Sequence, residues 1–482
     1  MAKKVNRRDF LQKVGKGSLG VVATASLAGT SLSCSKAAFT PKPNIIFILA
    51  DDLGYGDLGS YGQRIIQTPN IDRMVAEGLK FTDHYAGSTV CAPSRCSLMT
   101  GMHTGHARVR GNYPNGPFGF GAGLELRPED VTVAELLKEA GYKTGLFGKW
   151  GLGMDKTTGR PDLQGFDEWF GYLNQGHAHF YYPEYLWKNG EKIYLEGNKN
   201  GGRKQYSHDL ITEEAMEFIE KNSAGPFFLY LAYTIPHAEL LVPEDSLKEY
   251  RGKFEETPYR NNGRGGMGGY ASQATPRAAF AAMVSRMDRD VGRILDQLKA
   301  LGIDDNTLVL FSSDNGPHLE GGADPDFFKS NGQLRGYKRD LYEGGIRVPM
   351  IARWPATIKP GTVTHHASAF WDFLPTACDL AGVQAPKNID GISFLPTLLG
   401  KRQKEHEYLY WEFHERKATD QAVRMGDWKA VRHGAKGAIE LYDLKHDVAE
   451  NHNVAGEHPD IVAKAKNILT HARTEHEIWK LI

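Results

Sequence analysis

The chain has 482 residues, 41% hydrophobic and 24% charged, an ordinary balance for a globular enzyme of two or three average domains or of one large α/β domain with an appendage. Lys plus Arg and Asp plus Glu stand at 58 each, so nothing in the charge points to nucleic acid or to an electrostatically held membrane surface. Glycine is abundant at 54 residues, which suits function carried on long connections over a rigid sheet.

Residues 1–34 read as an export signal. Asn6-Arg7-Arg8-Asp9-Phe10-Leu11 resembles a twin-arginine motif, and the weakly apolar run 17–32 is too short and too polar for a stable membrane helix. Ser31-Leu32-Ser33-Cys34 is a loose lipobox with Ser31 in place of the usual aliphatic residue, so either a lipid anchor at Cys34 or plain cleavage nearby is expected. The expected location is the periplasm, or a membrane-anchored position at the cell envelope of a bacterium.

After a short linker, 43–50 is a continuous apolar run, the pattern of a central strand covered on both faces, and it ends in Asp51-Asp52. Adjacent carboxylates at the carboxyl end of a buried strand lie where open α/β sheets bind ligands, and they repel unless a cation sits between them. A solvated turn with a helix cap is the plainer alternative. Thr68-Pro69-Asn70 opens a helix through Glu77, stopped by Gly78. In the run Cys91-Ala92-Pro93-Ser94-Arg95-Cys96, Pro93 predicts a helix over 94–99. Cys91 then stands as a surface nucleophile near free N–H groups, with Arg95 one turn on, an arrangement that traps anions; a buried structural Cys beside a helix start is the plainer alternative.

A helix over 131–140 and a strand over 142–147 deliver Gly148-Lys149-Trp150-Gly151. The loop from Asn174 to Tyr182 is dense in polar and aromatic groups, and its His177 and His179 suit a metal, a base, a sugar hydroxyl or merely a solvated loop. Sugar contact is expected of His177. A helix over 207–221 leads to a second apolar run, 226–233, which ends in Thr234-Ile235-Pro236-His237. A group titrating near neutrality beyond a strand end suits proton transfer. A helix over 276–301 precedes a strand over 307–312 and Ser313-Asp314-Asn315-Gly316, which alone would pass for a turn. Beyond Asp390, short strands over 408–413, 421–424, 428–432 and 439–442 and a helix from Pro459 predict a small antiparallel sheet with one packed helix.

Cys91-x-Pro93-Ser94-Arg95, followed by Thr100-Gly101, resembles the signature of the type I sulfatases of the alkaline phosphatase superfamily, with Met99 where Leu is usual. Separate motifs from Asn44 to Asp443 carry the same resemblance, among them the block Leu334 to Pro349 around Lys338. It implies that a formylglycine-generating maturation enzyme oxidises Cys91. It further implies that Asp51, Asp52, Asp314, Asn315 and the modified residue 91 hold a divalent cation. The other four ligands are hard oxygen donors, which suits Ca²⁺, with Mg²⁺ second. By the same resemblance Arg95, Lys149 and Lys338 hold the charged oxygens of the ester and His237 protonates the departing alcohol. Gly151 departs from the pattern, because the family has a His there on the formylglycine hydroxyl. With Cys91 committed, one disulfide at most remains, and Cys96 and Cys378 are expected to pack as small apolar residues.

The fold implied is α/β, a large mixed sheet flanked by helices over 42–385, followed by a smaller C-terminal α+β subdomain over 386–482. The function implied is sulfate-ester hydrolysis, and the exported, aromatic-rimmed site points to an extracellular sulfated carbohydrate. Two rivals share these features: a phosphodiesterase or phosphonate hydrolase of the same superfamily, and an inactive glycan-binding lipoprotein suggested by Gly151.

Overall fold

The computed structural model describes residues 42–482 apart from 113–114, 117–118, 121–122, 262, 264–268 and 416–417, with residues 115, 116, 119 and 120 by backbone alone. The export signal and Cys34 lie outside the described residues. No helix among those described is long and apolar enough to cross a membrane.

The strands of the large sheet are β1 (Asn44–Asp51), β2 (Leu79–Phe81), β3 (Lys143–Lys149), β4 (Glu168–Tyr172), β5 (Tyr185–Lys188), β6 (Glu191–Tyr194), β7 (Phe227–Pro236), β8 (Thr307–Ser313), β9 (Met350–Arg353) and β10 (Thr362–Thr364). They lie in the order β10-β2-β9-β8-β1-β7-β3-β4-β5-β6. From β8 to β4 the pairing is parallel, and β9, β5 and β6 run antiparallel to their inner neighbours. Because β1 pairs Ala50 with Ser313 and Asp51 with Pro236, the carboxyl ends of β1, β7 and β8 emerge along one edge. Lys149, the last residue of β3, joins them there.

The alternation along β1 shows why both faces are apolar. Ile46, Ile48 and Ala50 pack with α1 (Pro69–Ala76), α4 (Ser207–Asn222) and α5 (Pro276–Ala300), while Ile45, Phe47 and Leu49 pack with α2 (Cys91–Thr100), α3 (Val133–Glu139) and α6 (Phe373–Ala381). Each such side chain contributes about 1.5–3 kcal/mol on burial. Helix α2 begins at Cys91 itself, three residues before the predicted start, with extended Val90 as its N-cap. Pro93 therefore sits inside the first turn, where its missing N–H costs nothing. Gly101, at φ 71°, ends the helix in the left-handed conformation. Cys96 and Cys378 are buried and free.

The smaller C-terminal domain holds β11 (Leu409–Phe413), β12 (Asp420–Met425), β13 (Trp428–His433) and β14 (Ile439–Asp443), antiparallel in chain order, with α7 (Pro459–His471) on one face. Its other face packs Trp411 and Val431 against Tyr85, Ile346 and Trp371 of the large domain. A buried polar junction locks the two. Lys429 Nζ donates to Glu343 Oε1 at 2.9 Å and Glu450 Oε1 at 3.3 Å, Tyr85 donates to Glu343 Oε2 at 2.7 Å, and Arg424 donates to Asp83 at 2.9 Å.

Candidate active site

The site is assembled where the strand ends converge. Asp51 closes β1, and Asp52 follows at φ 62°, a left-handed turn that Asp tolerates better than most residues. The Asp52 N–H donates to Asp314 Oδ1 at 3.1 Å and the Leu53 N–H to Ser313 Oγ at 2.8 Å, so the ends of β1 and β8 are stitched together. Cys91, at the first position of α2, brings Sγ to 3.1 Å from Asp51 Oδ1 and 3.9 Å from Asp52 Oδ1. It is 2% exposed, which overturns the expectation of a surface nucleophile: all ten residues of α2 are buried, packed with the sheet, α3 and α6.

Three cations balance the carboxylates. Lys149 Nζ donates to Asp51 Oδ2 and Lys338 Nζ to Asp52 Oδ2, each at 2.7 Å. Arg95 spends Nε and Nη2 on Asp314 Oδ2, at 3.0 and 2.8 Å, and Nη1 on the Lys149 carbonyl at 2.8 Å. Burial alone would lift the Asp51 carboxyl, but Lys149 and Arg95, with help from His237 and Lys338, hold it well below the usual range. Asp314 goes the other way: burial, then the neighbouring Asp51, pushes it up to about 7. Burial, with Asp314 and Asp51 adding to it, also pushes the Cys91 thiol well up.

His237, just beyond β7, places Nε2 at 2.8 Å from Lys338 Nζ and Nδ1 at 2.5 Å from the Ala238 carbonyl. Nδ1 is therefore the protonated nitrogen and Nε2 accepts from Lys338. Burial and the Lys338 charge keep His237 neutral, well below its ordinary pKa. Two further histidines flank it in a near-parallel column, His179 at 4.3 Å and 12° and His318 at 5.2 Å and 17° between rings.

Two matches decide the family. The sulfatase family model matches residues 43–383, and the model for the C-terminal region of N-sulphoglucosamine sulphohydrolase matches 335–475. The chain is 33% identical to N-acetylgalactosamine-6-sulfatase of Mus musculus over 469 residues, 92% of this chain and 81% of that one. The chain belongs to the sulfatase family. An N-acetylgalactosamine-6-O-sulfatase of Bacteroides thetaiotaomicron is 31% identical, covering 90% of this chain and 93% of its own. The solved structure of Ps i-CgsB in complex with k-i-k-neocarrahexaose superimposes with a TM-score of 0.73 at 30% identity, over 88% of this chain and 91% of that one. The protein is thus a sulfuric ester hydrolase with the mixed-sheet fold the sequence implied.

The residues of this sulfatase fit a hard divalent cation. Asp51, Asp52, Asp314 and Asn315 are fully buried and converge, and Asn315 Oδ1 has no hydrogen-bond partner although it is shielded from water. An acceptor oxygen left over among three crowded carboxylates is what a cation with oxygen ligands would use.

The sulfatase departs from expectation at the His177 loop. His177 is 9% exposed, held between the rings of Tyr172 at 5.0 Å and Tyr185 at 4.6 Å. In the tight turn His177–His179, residues two apart point in different directions, so it is His179 that reaches His237. Gly151, at φ 74°, has no room for a side chain, because a Cβ there would lie 1.9 Å from the Gln175 amide nitrogen. That nitrogen is itself buried without a partner, so Gln175 occupies the space the usual His would need. His179, His318 and Gln175 carried no motif. Only the density of polar residues around 174–182 hinted at two of them.

Proposed function

We propose that this sulfatase hydrolyses sulfate esters of extracellular carbohydrates through a formylglycine made from Cys91 and a divalent cation, Ca²⁺ before Mg²⁺, held by Asp51, Asp52, Asp314, Asn315 and residue 91. The observation that carries this reading is the position of Cys91 Sγ, 3.1 Å from Asp51 Oδ1, beside a carboxylate pair of which Lys149 holds Asp51 and Lys338 holds Asp52. When present, the modified residue and the cation supply an activated hydroxyl nucleophile and neutralise charge on the ester. Sγ stands where one of that residue's oxygens would lie.

The chain's own groups do the rest. Lys149 and Lys338 swing from their carboxylates onto the anionic oxygens of the ester, and Arg95 keeps Asp314 oriented at the base of the site. The proton for the departing alcohol comes through the Lys338–His237 pair, because Nε2 of His237 already accepts from Nζ. His179 and Tyr270 close one side of the mouth, with the Tyr270 ring 5.7 Å from His179 and 6.1 Å from His237. Sugar specificity is supported by relatives named for N-acetylgalactosamine sulfates and by the solved neighbour in complex with a neocarrahexaose. Residues 1–34 direct export, with maturation of Cys91 by a formylglycine-generating enzyme and an optional lipid at Cys34.

Mass spectrometry of the Cys91 peptide from the native host, with parallel assays on a sulfate and a phosphate ester of the same alcohol, tests this. Modified Cys91 and preference for the sulfate are expected. An unmodified thiol with tight sugar binding and no turnover would favour the inactive glycan-binding lipoprotein, and preference for the phosphate would favour a phosphodiesterase.

A further inference from the structure

We infer that Arg339, together with Glu415 of the C-terminal domain, forms a subsite that grips two hydroxyls of the sulfated sugar ring beside the ester. This rests on the sugar-sulfate reading above and adds to it the ring feature that is recognised.

Arg339 directly follows Lys338, whose Nζ touches both Asp52 and His237, so its side chain starts at the edge of the reaction centre. Its backbone is left-handed at φ 78°, a costly conformation for a residue with a Cβ, and its N–H is fixed to the Thr89 carbonyl at 3.1 Å, two residues from Cys91. The guanidinium is aimed rather than floppy. Nη1 is paired with Glu320 Oε1 at 2.5 Å, while the side chain stays 44% exposed. Nη2 has no hydrogen-bond partner among the described residues. Glu415 comes from the other domain. Its Oε1 accepts from the Asn112 N–H at 2.5 Å, and Asn112 Oδ1 in turn accepts from the N–H of Ala92, next to Cys91, at 3.1 Å. Its Oε2 lies 4.0 Å from Arg339 Nε, too far for a hydrogen bond.

Among the described residues, an unspent donor edge and an unspent acceptor therefore stand side by side. Charge decides what they hold. Arg339 already faces two carboxylates, Glu320 and Glu415, and Lys338 is shared between Asp52 and Glu320, so no unpaired cation is left at this place for a uronate or a second sulfate. A hydroxyl can accept from Nη2 while its neighbour donates to Oε2, which matches two adjacent ring hydroxyls and leaves no buried charge unpaired.

The test compares Arg339→Ala and Glu415→Gln with wild type on N-acetylgalactosamine 6-sulfate and on 4-nitrophenyl sulfate, which has no hydroxyls. Each variant should lose about 10-fold or more in kcat/KM on the sugar, mainly through KM, and far less on the aryl ester. Calorimetry with the desulfated sugar should show the same loss of binding. Equal losses on both esters would place Arg339 with the sulfate and overturn the subsite, as would no loss on either. Preference for a doubly sulfated or uronate-bearing ring that disappears in Arg339→Ala would also overturn it. If wild type cleaves neither ester, the sulfatase chemistry fails, while Arg339-dependent binding of the desulfated sugar still decides the subsite.

Discussion

Two buried charge clusters can be set side by side in this molecule. At the domain junction, Lys429 meets Glu343 and Glu450, Tyr85 meets Glu343, and Arg424 meets Asp83. At the strand ends, Asp51, Asp52 and Asp314 meet Lys149, Lys338 and Arg95 at similar distances and equal depth. Burial and ion pairing alone do not tell them apart. What differs is what is left over. The strand-end cluster keeps an orphaned amide oxygen at Asn315 and a thiol pressed against acid oxygens, whereas a raised carboxyl is common to both, Asp314 here and Glu450 at the junction each being pushed up to about 7 by burial. One of its lysines, Lys338, is also shared with a histidine that can move a proton. The junction is a lock; the strand-end cluster is incomplete until something binds. Unspent bonding capacity is the better mark of a functional site.

The largest expected effect separates them outright. Cys91→Ala should cost at least about 10⁴-fold in turnover, while the melting temperature changes by only a few degrees, because one buried sulfur is lost and the packing of α2 remains. A variant with near-normal rate would end the formylglycine reading. Next come two charge deletions with opposite signatures. Lys429→Met leaves Glu450 buried without its cation and Glu343 with Arg347 alone, and should destabilise by about 3–5 kcal/mol, with kcat of the folded fraction unchanged. Asp314→Asn, which keeps an acceptor oxygen for Arg95, should abolish activity and metal content by elemental analysis, with less harm to stability. If both variants behave alike, the distinction drawn between the clusters is empty.

The pH dependence sharpens the same point. In metal-free protein the Asp314 carboxyl, raised to about 7, binds its proton more tightly than in the unfolded chain. From this group, stability therefore declines as pH rises from the ordinary Asp range towards 7. Cation binding must displace that proton, so apparent affinity should rise about tenfold per pH unit below 7 and level off above, measurable by calorimetry as proton release. Affinity that is flat through this range would show that Asp314 is already ionised or is no ligand. The smallest effect lies at the rim. His179→Ala should lose about 1–2 kcal/mol of transition-state binding on a sugar sulfate, whereas His177→Ala should chiefly lower the melting temperature, since its ring is packed between Tyr172 and Tyr185. The reverse result would return the sugar contact to His177.

The central strands were legible because 43–50 and 226–233 are apolar runs that only a doubly covered strand needs, and acids or a histidine stand at their ends. The sheet edges were not. β6 is exposed throughout, and β2 and β10 have three residues each, too short to carry a period. The two acid pairs and Cys91 were legible as motifs, but the depth of Cys91 was not, because Ser, Arg and Thr in α2 look solvated until their partners are known. His179, Gln175 and Glu415 gained their places from tertiary contacts between loops, which leave no spacing in the chain.

The burial of Cys91 also bears on how the molecule is made. The thiol lies at the foot of a fully buried helix, beneath a bridge in which Asn112 joins Ala92 to Glu415 of the C-terminal domain. On the proposed reading, an enzyme that edits this side chain must take an extended stretch of chain into its own active site, and unpeeling α2 from the finished protein would break its packing on the sheet, α3 and α6. On that reading editing and folding are rivals on the newborn polypeptide, and a chain that folds first keeps its thiol. The yield of competent molecules is set by a ratio of two rates rather than by any equilibrium, so slower synthesis or a more abundant editing enzyme raises the active fraction without changing a single contact in the fold.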